Sequence, residues 1–133
     1  MSEKPRILLV DDELSMIKIV ERRLGVEGYA VLTAMDGQEA MTKAQSEHPD
    51  LIILDLKLPL MDGDEVCRRL KQDPRCHEIP VILFTAKAQE TDGQIARACG
   101  AEAYVRKPFH VQELLERVRT LLAGSATDRE VGG

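Results

Sequence analysis

Two hydrophobic rhythms alternate along the chain. Short, nearly continuous apolar runs, RILLV (6–10), YAVLTA (29–34), LIIL (51–54), PVILF (80–84) and AYV (103–105), read as strands. Between them apolar residues recur every three or four positions, which predicts amphipathic helices. These stretches carry Leu14, Ile17, Val20 and Leu24, then Ala40, Met41 and Ala44, then Val66, Cys67 and Leu70, then Ile95, Ala96 and Cys99. The clearest stripe comes last, with Val111, Leu114, Leu115, Val118, Leu121 and Leu122. Each helix has punctuation. Gly25 and Gly28 close the first, Asp36 with Glu39 forms a capping box for the second, Pro49 stops it, Asp73-Pro74 ends the third and Gly100 the fourth. After Leu122 the period is lost, so GSATDREVGG (124–133) is expected to be a flexible tail beyond one folded unit over 5–123.

Strands that are apolar at successive positions are buried on both faces, and parallel strands need crossover helices to join them. The predicted architecture is α/β, a doubly wound five-stranded parallel sheet with five helices. Ligands of such sheets sit beyond the carboxyl ends of the strands, where strand order reverses. At those ends stand Asp11 and Asp12 after the first strand, Asp55 closing the third, Thr85 closing the fourth, and Lys107-Pro108 after the fifth. A core strand that runs straight into a carboxylate, LIILD, raises the question of what else can reach that acid.

Composition narrows the choices. A length of 133 residues with 44% hydrophobic residues suits one domain with an ordinary core. A formal net charge of −5 argues against a nucleic-acid reader, which needs clustered Lys and Arg to displace counterions from phosphate, so no direct nucleic-acid contact is expected. Cys67, Cys76 and Cys99 lack metal-ligand spacing and leave an odd thiol, which fits a reducing cytoplasm better than a disulfide framework or a zinc site. No apolar stretch is long enough for a signal-peptide core or a membrane span, and no membrane partner is expected. His48, His77 and His110 show no ligand spacing and are expected on the surface.

Asp11, Asp12 and Asp55 would crowd three carboxylates at one sheet edge, with Thr85 and Lys107 approaching from the other side. Hard oxygen donors of this kind suit Mg2+. A carboxylate can also act as nucleophile toward phosphorus and form an aspartyl phosphate. Phosphoryl transfer mainly requires positioned and neutralised oxygens, which Mg2+, the Lys107 ammonium and the Thr85 hydroxyl would provide, leaving Asp55 as acceptor. Taken singly these residues have blander readings. Asp11-Asp12 after a strand can cap a helix, Thr85 can satisfy backbone, Lys107 can be merely solvated, and Tyr104 can be half-buried packing.

VDDE, LDLKLPLMDG, FTA and YVRKPF, in this order and spacing, resemble the receiver domain of two-component response regulators over residues 5–122. The resemblance implies a flavodoxin-like strand order 2-1-3-4-5 and phosphorylation of Asp55 by the phosphohistidine of a sensor histidine kinase or histidine phosphotransfer protein. It also implies Mg2+ held by Asp12, Asp55 and the carbonyl of Lys57, with Asp11 acting through a metal-bound water. Thr85 and Lys107 would hold phosphoryl oxygens, Thr85 and Tyr104 would form the switch, and Lys107-Pro108 would be cis. A downstream target protein would read helix four, strand five and helix five. Ala103 stands where an acid often precedes the strand-five aromatic in regulators that dimerise through this face, so a monomer or a weak phosphorylation-dependent dimer is expected. Asp73-Pro74 with Ile79 to Ile82 looks more like stand-alone and hybrid-kinase receivers than like DNA-binding regulators. The expected activity is self-phosphorylation and self-dephosphorylation only. The alternative is a haloacid-dehalogenase-like, Mg2+-dependent phosphohydrolase with an Asp nucleophile, but the second Asp of that family would fall at Lys57, and the chain has no cap insertion.

Overall fold

The computed structural model describes residues 4–85, 90–106 and 110–132, without the side chains of 85, 90–93, 96 and 125–132. Strand and helix alternate throughout: β1 (Arg6–Val10), α1 (Leu14–Val26), β2 (Ala30–Ala34), α2 (Gly37–Glu47), β3 (Leu51–Asp55), α3 (Gly63–Gln72), β4 (Val81–Thr85), α4 (Glu90–Cys99), β5 (Ala103–Arg106) and α5 (Val111–Gly132). The five strands are all parallel, in the order β2-β1-β3-β4-β5. This is the predicted doubly wound, flavodoxin-like sheet.

The alternation of side chains along each strand divides the core in two. Leu8, Val10, Ile52, Leu54, Val81 and Leu83 face a layer built from Ala40 and Ala44 of α2, Val66, Cys67 and Leu70 of α3, and Cys99 of α4. Ile7, Leu9, Leu51, Ile53, Ile82, Phe84 and Val105 face Ile17, Val20 and Leu24 of α1 and Leu114, Leu115 and Val118 of α5. Burial of an aliphatic side chain contributes roughly 1.5–3 kcal/mol, so β1 and β3, with four fully buried residues each before their acids, are strongly held in the sheet.

Helix punctuation follows the sequence with two changes. Asp36 caps α2, its Oδ1 accepting from Glu39 N–H at 2.7 Å, while Glu39 Oε1 accepts from Met35 N–H at 3.0 Å. The box therefore closes one residue further out than the cap itself. Gly25 lies within α1 instead of ending it, and the turn falls to Gly28, whose φ of 97° needs a residue without Cβ. At the chain's end, helical backbone continues through Gly132, where the sequence predicts a flexible tail. No proline interrupts this stretch, and Ala123 and Ala126 favour helix, although the apolar stripe stops at Leu122. His48, His77 and His110 are exposed, His48 as the left-handed C-cap of α2.

Candidate functional site

Strand order reverses between β1 and β3, because the chain leaves β1 toward β2 on one side and β3 joins on the other. Asp11 and Asp12 follow β1 and Asp55 ends β3, so the crevice at this reversal is lined by all three acids. One carboxylate oxygen from each lies within 4.8 Å of the others. Asp11 is fully buried, Asp55 is 6% exposed, and Asp12 is exposed to solvent.

The backbone beneath the acids is fixed by continued sheet pairing. Asp11 N–H donates to the Ala34 carbonyl at 3.1 Å, and Leu56 N–H, just beyond Asp55, donates to the Phe84 carbonyl at 2.8 Å. Local amides then orient the carboxylates: Glu13 N–H donates to Asp11 Oδ1 at 2.9 Å and Lys57 N–H to Asp55 Oδ1 at 3.3 Å. The capping alternative fails for Asp12. The N-cap of α1 is Glu13, with no side-chain cap bond.

Two glycines set how closely the helices approach the site. A Cβ on Gly63 would lie 2.1 Å from the Asp55 carbonyl oxygen, and one on Gly37 would lie 2.1 Å from that of Met61. The N-termini of α3 and α2 can therefore press against the loop after Asp55 only because both positions lack a side chain. That loop is tied down by Gly63 N–H to the Leu56 carbonyl at 2.8 Å, Gly37 N–H to the Pro59 carbonyl at 3.2 Å, and Leu58 N–H to Asp62 Oδ1 at 3.4 Å. Its Leu56 and Leu58 side chains are buried. The roles of Gly37 and Asp62 were not drawn from the sequence. The available signal was a glycine at the first position of a helix that already has an Asp cap.

Thr85 is the last residue of β4 and pairs in register with Arg106, while Tyr104 pairs with Leu83 two residues earlier. Tyr104 is half-buried against the layer under α2, α3 and α4. Lys107 and Pro108, with the predicted cis bond, lie outside the described residues. The donor set suits a hard divalent cation. Two opposite ligands of an octahedral Mg2+ are ~4.2 Å apart, close to the spread of the three carboxylates.

Residues 7–119 match the response regulator receiver domain family. The chain belongs to that family. The receiver is 45% identical over 125 residues to the DNA-binding dual master transcriptional regulator RpaA of Synechocystis, covering 94% of this chain and 51% of that protein. It is 43% identical over 120 residues to the alkaline phosphatase synthesis transcriptional regulatory protein PhoP of Bacillus subtilis, covering 90% and 49%. Among solved structures, the chemotaxis response regulator CheY4 of Vibrio cholerae is similar with a TM-score of 0.83 and 32% identity, covering 89% of this chain and 98% of that one. The receiver thus spans about half the length of the curated relatives it matches.

A receiver is a phosphoacceptor signalling domain that works with a sensor kinase, and this assignment leaves the phosphohydrolase alternative without support. One sequence expectation finds no support among these curated relatives. Asp73-Pro74 and Ile79 to Ile82 pointed away from DNA-binding regulators, yet identity to two transcriptional regulators exceeds that to the chemotaxis protein. The expected lack of nucleic-acid contact therefore has no support beyond this receiver. No helix among the described residues is long and apolar enough to cross a membrane.

Proposed function

We propose that Asp55 is the phosphorylated residue and that it takes the phosphoryl group from a phosphohistidine of a sensor histidine kinase or histidine phosphotransfer protein. The observation that carries this reading is the convergence of Asp11, Asp12 and Asp55 at the strand-order reversal, with Asp55 almost buried yet at the mouth of the crevice. A carboxylate oxygen of Asp55 attacks phosphorus, the P–N bond breaks with its electron pair returning to the ring nitrogen, and the histidine, protonated on its other ring nitrogen, leaves as neutral imidazole. Lys57 N–H at 3.3 Å keeps the acceptor carboxylate oriented for this attack. Asp12, Asp55 and the Lys57 carbonyl would hold Mg2+, and Asp11 would act through a water. When bound, Mg2+ supplies the charge that neutralises the phosphoryl oxygens and relieves repulsion among the acids.

In this reading Thr85 and Lys107 hold the remaining phosphoryl oxygens, and Tyr104 on β5 couples their occupancy to the face formed by α4, β5 and α5. Support for the coupling comes from the parallel pairing of β4 with β5, which places Tyr104 and Thr85 on neighbouring strands. The receiver unit covers 5–123, turns over no external substrate, acts as a monomer or weak phosphorylation-dependent dimer, and works in the cytoplasm, where three buried reduced cysteines are at home. The two transcriptional relatives favour a genetic output for the protein that carries it.

Acetyl phosphate with Mg2+ should add one phosphate to the wild type in an intact-mass spectrum and none to Asp55→Asn. Equal labelling of the Asn variant would overturn the assignment.

A further inference from the structure

The seam between α3 and α4 carries chemistry that the acidic site does not use. Cys67 on α3 and Cys99, the last residue of α4, are 0% and 3% exposed, and Cys67 Sγ donates to the Cys99 carbonyl at 3.4 Å. The Cys67 thiol thus lies against Cys99, and each thiol is the largest single influence on the other's ionisation. Cys99 sulfur is also stabilised by the N–H of Ala101. Its pKa is pulled down to about 7, chiefly by the Cys67 thiol, whereas Cys67 is held far above the usual thiol range by Cys99 and by burial. The pair therefore gives up its first proton readily and its second with difficulty. Cys76 is also buried, but burial and the Asp73 carboxylate push its thiol up.

The same seam extends to β5. Lys71, one helical turn after Cys67, donates to the Ile79 carbonyl at 2.9 Å and to Glu102 Oε2 at 2.8 Å, while Glu102 Oε1 accepts from Val81 N–H at 2.8 Å. The end of α4 and the start of β5 are thus already held to α3 by polar contacts.

We propose that Cys67 and Cys99 form a redox-responsive pair, oxidised by peroxide to an intramolecular disulfide that staples the end of α4 to α3. The Cys99 thiolate attacks one peroxide oxygen, the O–O bond breaks, and hydroxide leaves and is protonated to water, giving a sulfenic acid. Capping Cys99 removes the charge that held the Cys67 proton. Cys67 sulfur then attacks the Cys99 sulfur, and the sulfenic hydroxyl leaves with the Cys67 proton as a second water. Two thiols are oxidised by two electrons and one peroxide is reduced to two waters. The staple closes a loop of 32 residues' separation, so oxidation should raise the melting temperature by several degrees and slow opening of α4.

The test reads thiols and backbone exchange on the full chain, and so does not depend on Asp55 being the acceptor. After graded hydrogen peroxide and alkylation under denaturing conditions, the intact mass should show loss of two hydrogens, with Cys76 alkylated and one peptide joining Cys67 to Cys99. A thiol reductant should restore the original mass. Cys67→Ser and Cys99→Ser should each abolish the bridge, while Cys76→Ser should keep it. Should a variant fail to fold, the wild-type peptide map decides alone. A bridge through Cys76, dimers joined by disulfide, or only sulfinic acid would overturn the proposal. Hydrogen exchange in 94–99 should slow in the bridged protein, and unchanged exchange would rule out the staple.

Discussion

Leu60 is 77% exposed at φ 69°, a left-handed conformation that costs a residue with Cβ about 1–2 kcal/mol. The conformation is imposed by the tight turn around it, in which Met61 N–H donates to the Pro59 carbonyl at 2.7 Å. Leu60→Gly should relieve the strain but enlarge the freedom of the unfolded chain, for a net gain of about 0.5–1 kcal/mol. A higher urea midpoint with unchanged slope is the expected result. Nothing in LPLMDG marks this position, because a leucine in a loop looks like any exposed apolar residue until its backbone angles are known. The Asp36 cap is the opposite case. Its bond to Glu39 N–H was legible from a three-residue spacing alone, since the partner lies within one helical turn.

At the level of elements, the placement of α3 against β3 sets the acceptor's position. Gly63→Ala would drive a Cβ into the Asp55 carbonyl, so it should cost about 2–3 kcal/mol and lower the phosphorylation rate through displacement of Asp55. Gly25→Ala in α1 meets nothing within 4 Å and should stabilise by about 0.5–1 kcal/mol. Denaturant melts of the two variants in parallel check the contrast, which their identical chemistry could not forecast. The other end of α3 predicts a pH dependence. Asp73 accepts from the Arg75 guanidinium, from Arg75 N–H and from Gln45 of α2, and the guanidinium first and the N–H second bring its carboxyl down to about 2. Its unfolded value is about 3.9, so the folded state binds the proton less well. The stabilisation is fully present above about pH 4 and is lost as pH falls toward 2. Asp73→Asn should flatten the pH dependence of the urea midpoint in that window, while the wild type declines.

Across the whole molecule, three carboxylates held within 4.8 Å repel one another, a cost that a bound cation would relieve. At an effective dielectric near 20 each pair repels by roughly 3–4 kcal/mol, and solvent around the exposed Asp12 reduces its share to about 1 kcal/mol. Against a total stability of about 5–15 kcal/mol that share is measurable. Millimolar Mg2+ should raise the melting temperature of the wild type by a few degrees. Asp12→Ala should melt slightly higher than wild type in EDTA and lose the response to Mg2+. A variant that melts lower in EDTA and still responds fully would remove Asp12 from the metal site. Both forms need only thermal melts with and without the ion. Local rules in the sequence determined the alternation of strand and helix, the two-sided burial of the sheet, the caps and the acids at the strand ends, because each depends on neighbours within a few positions. The tertiary structure decided what depends on residues far apart. Asp11 and Asp55 meet only because β3 pairs beside β1, Gly37 and Gly63 matter only because α2 and α3 converge on one loop, and Cys67 reaches Cys99 only where α3 packs on α4. No periodicity encodes such meetings, since they arise from the order and twist of the strands once all five are assembled.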